Sequence, residues 1–253
     1  MLDMTNLAAG YGHGRSAMSV IRDITLSIAE GEAVAVIGES GSGKSTLARA
    51  IVGLAAIQAG QLSLDGSPIS PHRSDAFRRD VQMVFQSPTS SLNPKMTIGD
   101  TLAEAIRCGH GKSDIAPRLA RLIEATGIAQ GWLTRAPREL SGGQLQRVAI
   151  ARALAVEPRL LIADEITSAL DLSVQAAILN MIADLRASRQ LALLFITHDL
   201  AVARHVASTV VVMKAGAIVE AGPVNQVLSA PRHPYTAALI AAEPGNAAAW
   251  SHA

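Results

Sequence analysis

Apolar positions along the chain fall into short runs separated by polar and glycine-bearing stretches. Runs at Ile24–Ile28, Ala33–Ile37, Gln61–Asp65, Val81–Phe85, Leu160–Ala163, Leu191–Ile196 and Thr209–Met213 each predict a β-strand. Lys214-Ala215-Gly216 and then Ala217–Glu220 follow the last of these, which reads as a terminal hairpin. Helical spacing appears in Leu47–Leu54 and in Leu172–Arg186, where Leu172, Leu179, Ile182 and Leu185 would share one face. Between Phe85 and Leu160 the strand signal nearly vanishes. Thr97–Arg107, Ile115–Thr126 and Gln144–Ala155 are helix-like there, divided by loops holding Pro94, Gly109, Gly127 and Pro137. The pattern predicts an α/β core carrying a helical insert. No internal repeat interrupts it, and the alanine-rich tail Ala237–Ala253 is expected to fray in part.

The strand-like run Ala33–Ile37 leads directly into Gly38-Glu39-Ser40-Gly41-Ser42-Gly43-Lys44-Ser45-Thr46 and then into helical sequence. Strand, glycine-rich turn and helix form the context that separates a phosphate-binding P-loop from a chance match. Glycines let backbone N–H groups converge on phosphate oxygens, and the helix start presents its positive dipole end to the same anion. Lys44 would add a point charge at the β- and γ-phosphates, and the Ser45 hydroxyl would hold Mg²⁺. A flexible surface loop would account for glycine and serine but not for the preceding strand or the Lys-Ser pair. The chain is expected to bind a nucleoside triphosphate.

Length and composition fit this reading. A chain of 253 residues, 49% hydrophobic but only 3% aromatic, can bury a large aliphatic core. The net charge of +1 gives no basic field that would recruit nucleic acid. One cysteine, Cys108, excludes an intrachain disulfide or a multi-cysteine metal cluster. No apolar run approaches the roughly 18 residues that span a bilayer, and Met1–Gly14 lacks the blocks of a secretory signal. The expected location is cytoplasmic, with any membrane role acting through a partner. His13, His72, His110, His205, His233 and His252 show no metal-ligand pairing and are read as surface residues.

Two further clusters carry chemistry. Arg159–Glu165 is an apolar strand ending in two acids, and ligands of open α/β sheets lie beyond the carboxyl ends of strands. Successive strand residues face opposite ways, so the two adjacent acids need not do one job. Asp164 is the candidate for orienting Mg²⁺, and Glu165 is the candidate general base for an attacking water. In Leu140-Ser141-Gly142-Gly143-Gln144, Ser141 and Gln144 have capping-box spacing at the start of a helix-like run. An ordinary cap explains the serine and glutamine but not both glycines, which would bare N–H groups at a second anion-binding helix start.

These landmarks, in this order, resemble the ATP-binding cassette (ABC) ATPases over residues 2–236, nearly the whole chain. Leu140–Gln144 is similar to the family signature, Gln86 to the Q-loop glutamine, Ser168-Ala169-Leu170-Asp171 to the D-loop and His198 to the switch histidine. The resemblance implies a RecA-like P-loop NTPase core with an antiparallel β subdomain and a helical subdomain. One cassette would span 1–236, with core 1–86 and 157–230, helical subdomain about 87–156 and tail 237–253. It implies that Tyr11 stacks on adenine, that Gly38, Ser40, Gly41, Ser42, Gly43, Lys44, Ser45 and Thr46 bind ATP, and that Ser45, Gln86 and Asp164 attend Mg²⁺. His198 would contact the γ-phosphate, joining Glu165 in catalysis. Two cassettes would close head-to-tail on two ATP molecules, so that Ser141, Gly142, Gly143 and Gln144 face the nucleotide of a partner and Asp171 couples the sites. Ile166 departs from the family, which usually has proline after the acid pair; isoleucine leaves a less constrained turn.

Single copies of each motif and no sustained heptads resemble a transporter subunit more than translation or repair cassettes. Phe85-Gln86-Ser87-Pro88 with Ser91–Thr97, and Pro231-Arg232-His233-Pro234-Tyr235-Thr236, resemble the dipeptide/oligopeptide/nickel importer subfamily. That resemblance implies ATP hydrolysis coupled to uptake of a peptide or a nickel or metal chelate, at the cytoplasmic face of the membrane. The implied partners are integral membrane permeases, an extracytoplasmic binding protein, and a second ATPase that is a non-identical paralogue or another copy of this chain. The alternative is a soluble cassette serving repair, assembly or regulation.

Overall fold

The computed structural model describes residues 1–12, 18–168 and 170–243. His13, Ala169, His252 and the end of the tail, 244–253, lie outside them. The chain divides into two compact units, one of residues 1–74 and 193–253, the other of residues 75–192.

The first unit holds two sets of strands. Strands β1 (Leu2–Tyr11), β2 (Met18–Ile28), β4 (Ala56–Leu64) and β5 (Ser67–Pro68) form an antiparallel sheet in the order β2-β1-β4-β5. Strand β3 (Ala33–Ile37) lies parallel between β8 (Ala192–Ile196) and β9 (Thr209–Lys214), with β10 (Ala217–Pro223) antiparallel to β9. Every residue of β3 and β8 is buried. A parallel strand covered on both faces needs no polar alternation, which is why these segments read as unbroken apolar runs. Helices α1 (Lys44–Val52), α7 (Leu200–Val206), α8 (Val224–Ser229) and α9 (Pro234–Ala241) complete the unit.

The second unit contains the parallel pair β6 (Val81–Val84) and β7 (Leu160–Asp164), with helices α2 (Asp75–Asp80), α3 (Ile98–His110), α4 (Ile115–Thr126), α5 (Gly142–Leu154) and α6 (Leu172–Arg189). The predicted helical stretch is thus present as α3, α4 and α5. On α6 the predicted face holds for Leu179, Ile182 and Leu185, but Leu172 is 84% exposed. Burial on this helix begins only at Ile178, so its first turns run past the core they would otherwise cover.

Helix α9 carries the tail as far as Ala241, its start fixed by a His233 cap with Pro234 in the first turn. One other expectation changes. His110 and His233 are half-buried rather than surface residues: His110 faces Glu157 at 3.8 Å, and His233 caps α9.

Candidate functional site

Strands β3 and β8 run parallel with Val36 opposite Ile196, so Gly38 and His198 each lie two residues beyond the last pair, at the same end of the sheet. The Thr197 N–H donates to the Val36 carbonyl at 3.1 Å, tying the two exits together. The loop 38–43 then wraps into α1. Gly38 has φ +148°, and a Cβ there would collide with the Met213 carbonyl oxygen. Gly43 caps α1 at φ +103°, where a Cβ would fall 2.7 Å from Ile21 Cγ2. No other residue type fits either place without strain.

No side chain caps α1. The buried ammonium of Lys44 stands at this helix start, where its Nζ donates to the carbonyls of Gly38 (2.8 Å) and Glu39 (2.9 Å). The Ser42 hydroxyl is buried without a hydrogen-bond partner. Uncapped donors, an orphaned hydroxyl and a lysine charge suit a triphosphate. At the other end of α1, buried Arg73 donates to the Ala50 and Ile51 carbonyls, satisfying acceptors that a helix C-terminus leaves open. Arg73 was not singled out in the sequence, where nothing distinguishes it from surface arginines. Tyr11 ends β1, partly exposed, and its hydroxyl accepts from Arg49 Nη1 at 3.3 Å. His198 is exposed at the turn before α7, which Asp199 caps by accepting from the Val202 N–H.

In the second unit, β6 and β7 pair Val84 with Ala163, so Gln86 and Glu165 both follow that pair by two residues. Equal register brings them together: Gln86 Nε2 donates to Glu165 Oε2 at 3.0 Å. Asp164 is buried at the strand end. Glu165 has φ +49°, uncommon for a residue with a Cβ. A following proline would push this residue toward extended backbone, so Ile166 leaves open the conformation that Glu165 adopts.

The signature segment begins α5 with the predicted capping box. Ser141 Oγ accepts from the Gln144 N–H (3.4 Å), and Gln144 Oε1 accepts from the Ser141 N–H (3.0 Å). Ser141 and Gly142 are exposed, and nothing stands within 4 Å of a Cβ built on Gly142. Gly143 is different, because its Cβ would fall 2.5 Å from Val174 Cγ1 on α6. Asp171 caps that same helix, accepting from the Val174 N–H (2.9 Å) and the Ser173 hydroxyl (2.6 Å). These bonds, the hydroxyl foremost, hold its carboxyl below the usual range. The fold thus joins the start of α5 to the Asp171-capped start of α6.

The sequence matches the model of the ABC transporter family over residues 21–168. The oligopeptide transport ATP-binding protein OppF of Salmonella typhimurium is 44% identical over 233 residues, 90% of this chain and 70% of that protein. The chain belongs to the ABC transporter family. The glutathione import ATP-binding protein GsiA of Escherichia coli is also 44% identical, over 88% of this chain but 37% of its own length. Among solved structures, a dimeric, post-hydrolysis ATP-binding cassette bound to ADP and Pi is similar with TM-score 0.78 and 29% identity, over 88% of this chain and 99% of that one. The cbiO1 protein of Clostridium perfringens, part of the transporter complex cbiONQ, is similar with TM-score 0.80 and 27% identity, over 90% of each chain.

This chain is therefore an ABC ATPase, with ATP as its nucleotide. Among the described residues, no helix is long and apolar enough to cross a membrane. Further site contacts of the cassette were missed from sequence. The Glu39 N–H donates to the Tyr235 hydroxyl at 3.1 Å, and the Leu200 N–H donates to Glu243 Oε1 at 2.8 Å. Tyr235 lies within the Pro231–Thr236 motif, but nothing in the sequence indicates what it touches.

Proposed function

We propose that this cassette is the ATP-hydrolysing subunit of a peptide importer, working at the cytoplasmic face of the membrane. Identity of 44% across 90% of the chain with an oligopeptide transport protein carries this reading. Similarity to oligopeptide transport and glutathione import proteins favours a peptide or glutathione-like cargo over nickel or a metal chelate. The permeases and an extracytoplasmic binding protein would select that cargo, with the helical stretch 87–156 meeting the permease. The second ATPase is assigned as a non-identical paralogue, since the Ser91-Leu92-Asn93-Pro94 segment resembles one of two unlike subunits.

Within the cycle, Gly38–Thr46 grips the phosphates, Lys44 meets their charge and Tyr11 stacks on adenine. Glu165 takes a proton from the attacking water while Gln86 orients its carboxylate, and His198 contacts the γ-phosphate. Ser45, Gln86 and Asp164 would hold Mg²⁺; hydroxyl, amide and carboxylate oxygens are the ligands this ion prefers, and when bound it neutralises charge on the phosphates. Ser141, Gly142, Gly143 and Gln144 serve the nucleotide of the partner cassette, with Asp171 coupling the two.

Two measurements test the reading. Glu165→Gln should slow turnover by about 10²–10⁴, the usual contribution of a general base, while ATP affinity stays near that of the parent. Unchanged turnover would remove Glu165 from that role. The full chain should also co-purify with integral membrane subunits; isolation of an active ATPase with no such partner would favour the soluble alternative.

A further inference from the structure

The Pro231–Thr236 motif has no part in the functions above, yet the fold brings it to the ATP loop. Glu220 on β10 accepts from the backbone N–H groups of Arg232 (2.8 Å) and His233 (3.1 Å), fixing the turn before α9. His233 Nδ1 then accepts from the Tyr235 N–H at 3.1 Å, capping the helix. With Pro234 pre-set for the first turn, these contacts aim Tyr235 inward, where it is 7% exposed. Lys214 Nζ stands 4.6 Å from the centre of its ring.

The hydroxyl of Tyr235 accepts from the Glu39 N–H. That N–H belongs to the same peptide plane as the Gly38 carbonyl, which accepts from Lys44 Nζ. One planar group is thus held at both ends, by Lys44 at its oxygen and by Tyr235 at its nitrogen. Gly38 has no Cβ to resist rotation of this plane, so the tyrosine supplies a restraint that the loop's own sequence does not. Rotation would carry the Gly38 oxygen away from Lys44. Beyond the other end of α9, Glu243 Oε1 accepts from the N–H of Leu200, two residues past His198. That donor lies in the first turn of α7, where no intrahelical acceptor exists.

We propose that α9 is a positioning strut for its own cassette, with Tyr235 fixing the Gly38–Glu39 peptide on which Lys44 rests and Glu243 fixing the turn that carries His198. Both are positioning residues, and the idea rests on reading Gly38–Thr46 as the phosphate loop. Tyr235→Phe keeps the ring over Lys214 and removes only the hydroxyl.

Equilibrium binding of MgATP to the full-length chain, with Lys44→Ala alongside, tests the first contact. Tyr235→Phe should raise the dissociation constant about three- to tenfold, in the range of one lost hydrogen bond. In the assembled transporter it should raise the KM for ATP with little change in kcat. A structural defect alone would reduce the active fraction, and so kcat, while leaving KM alone. Parent-like affinity of Tyr235→Phe, with Lys44→Ala binding nothing, overturns the strut and leaves the phosphate loop intact. Parent-like affinity of Lys44→Ala overturns both. Glu243→Ala tests the second contact independently: kcat should fall severalfold and Glu243→Gln should restore it, because the amide oxygen can still accept from Leu200. Equal kcat in all three chains would remove the Glu243 contact from the proposal.

Discussion

Two glycine-rich helix starts lie in the two units of this cassette, and they are built in opposite ways. The first turn of α1 has no side-chain cap and is hemmed in by Met213, Ile21 and the buried Lys44. The first turn of α5 is closed by its own Ser141 and Gln144 and faces solvent at Ser141 and Gly142. A helix start with no side-chain cap and with an enclosed cation suits a phosphate. One that already satisfies two of its donors through its own cap, and opens outward, can add only a few contacts to an anion held by something else. This difference fits the proposed division between gripping a nucleotide and completing the site of a partner.

Substitutions can break that contrast. Lys44→Ala should have the largest effect, removing detectable MgATP binding in isothermal titration of the full chain; retained binding would end the claim that α1 is the receptor. Gly143→Ala should come next. Its Cβ meets Val174 Cγ1, and the strain should lower stability by about 1–3 kcal/mol in urea denaturation. Ser141→Ala should cost least, about 1 kcal/mol for the lost cap. Its nucleotide affinity as an isolated chain should match that of the parent, while turnover in the assembled transporter should fall. A loss of affinity in the isolated chain would give both helix starts the same job.

Much of the buried core was legible because its strands are continuous apolar runs: β3, β7, β8 and β9 are near their expected limits. Strand β1 was not. Its sequence, LDMTNLAAGY, carries small and polar residues, its register shifts between Met4 and Leu7 and again near Ala9, and Asn6 has φ +48°. Each shift breaks the two-residue alternation by which a strand is recognised. The early part of β4 is largely exposed, so it too gave no apolar signal.

At the site, the capping box was legible because its partners are three residues apart. Gln86 with Glu165, and Glu39 with Tyr235, are 79 and 196 positions apart, and only the folded register brings them together. The turn at Ile166 lay between these cases. Its looseness followed from the missing proline, but the left-handed backbone of Glu165 did not.

The meeting of Gly143 with Val174 has a consequence for how this protein can diverge. Gly143 at the start of α5 and Val174 on α6 form one interlocked pair of positions, and a side chain at the first would press on the branch of the second. A larger residue at position 143 therefore calls for a smaller one at position 174.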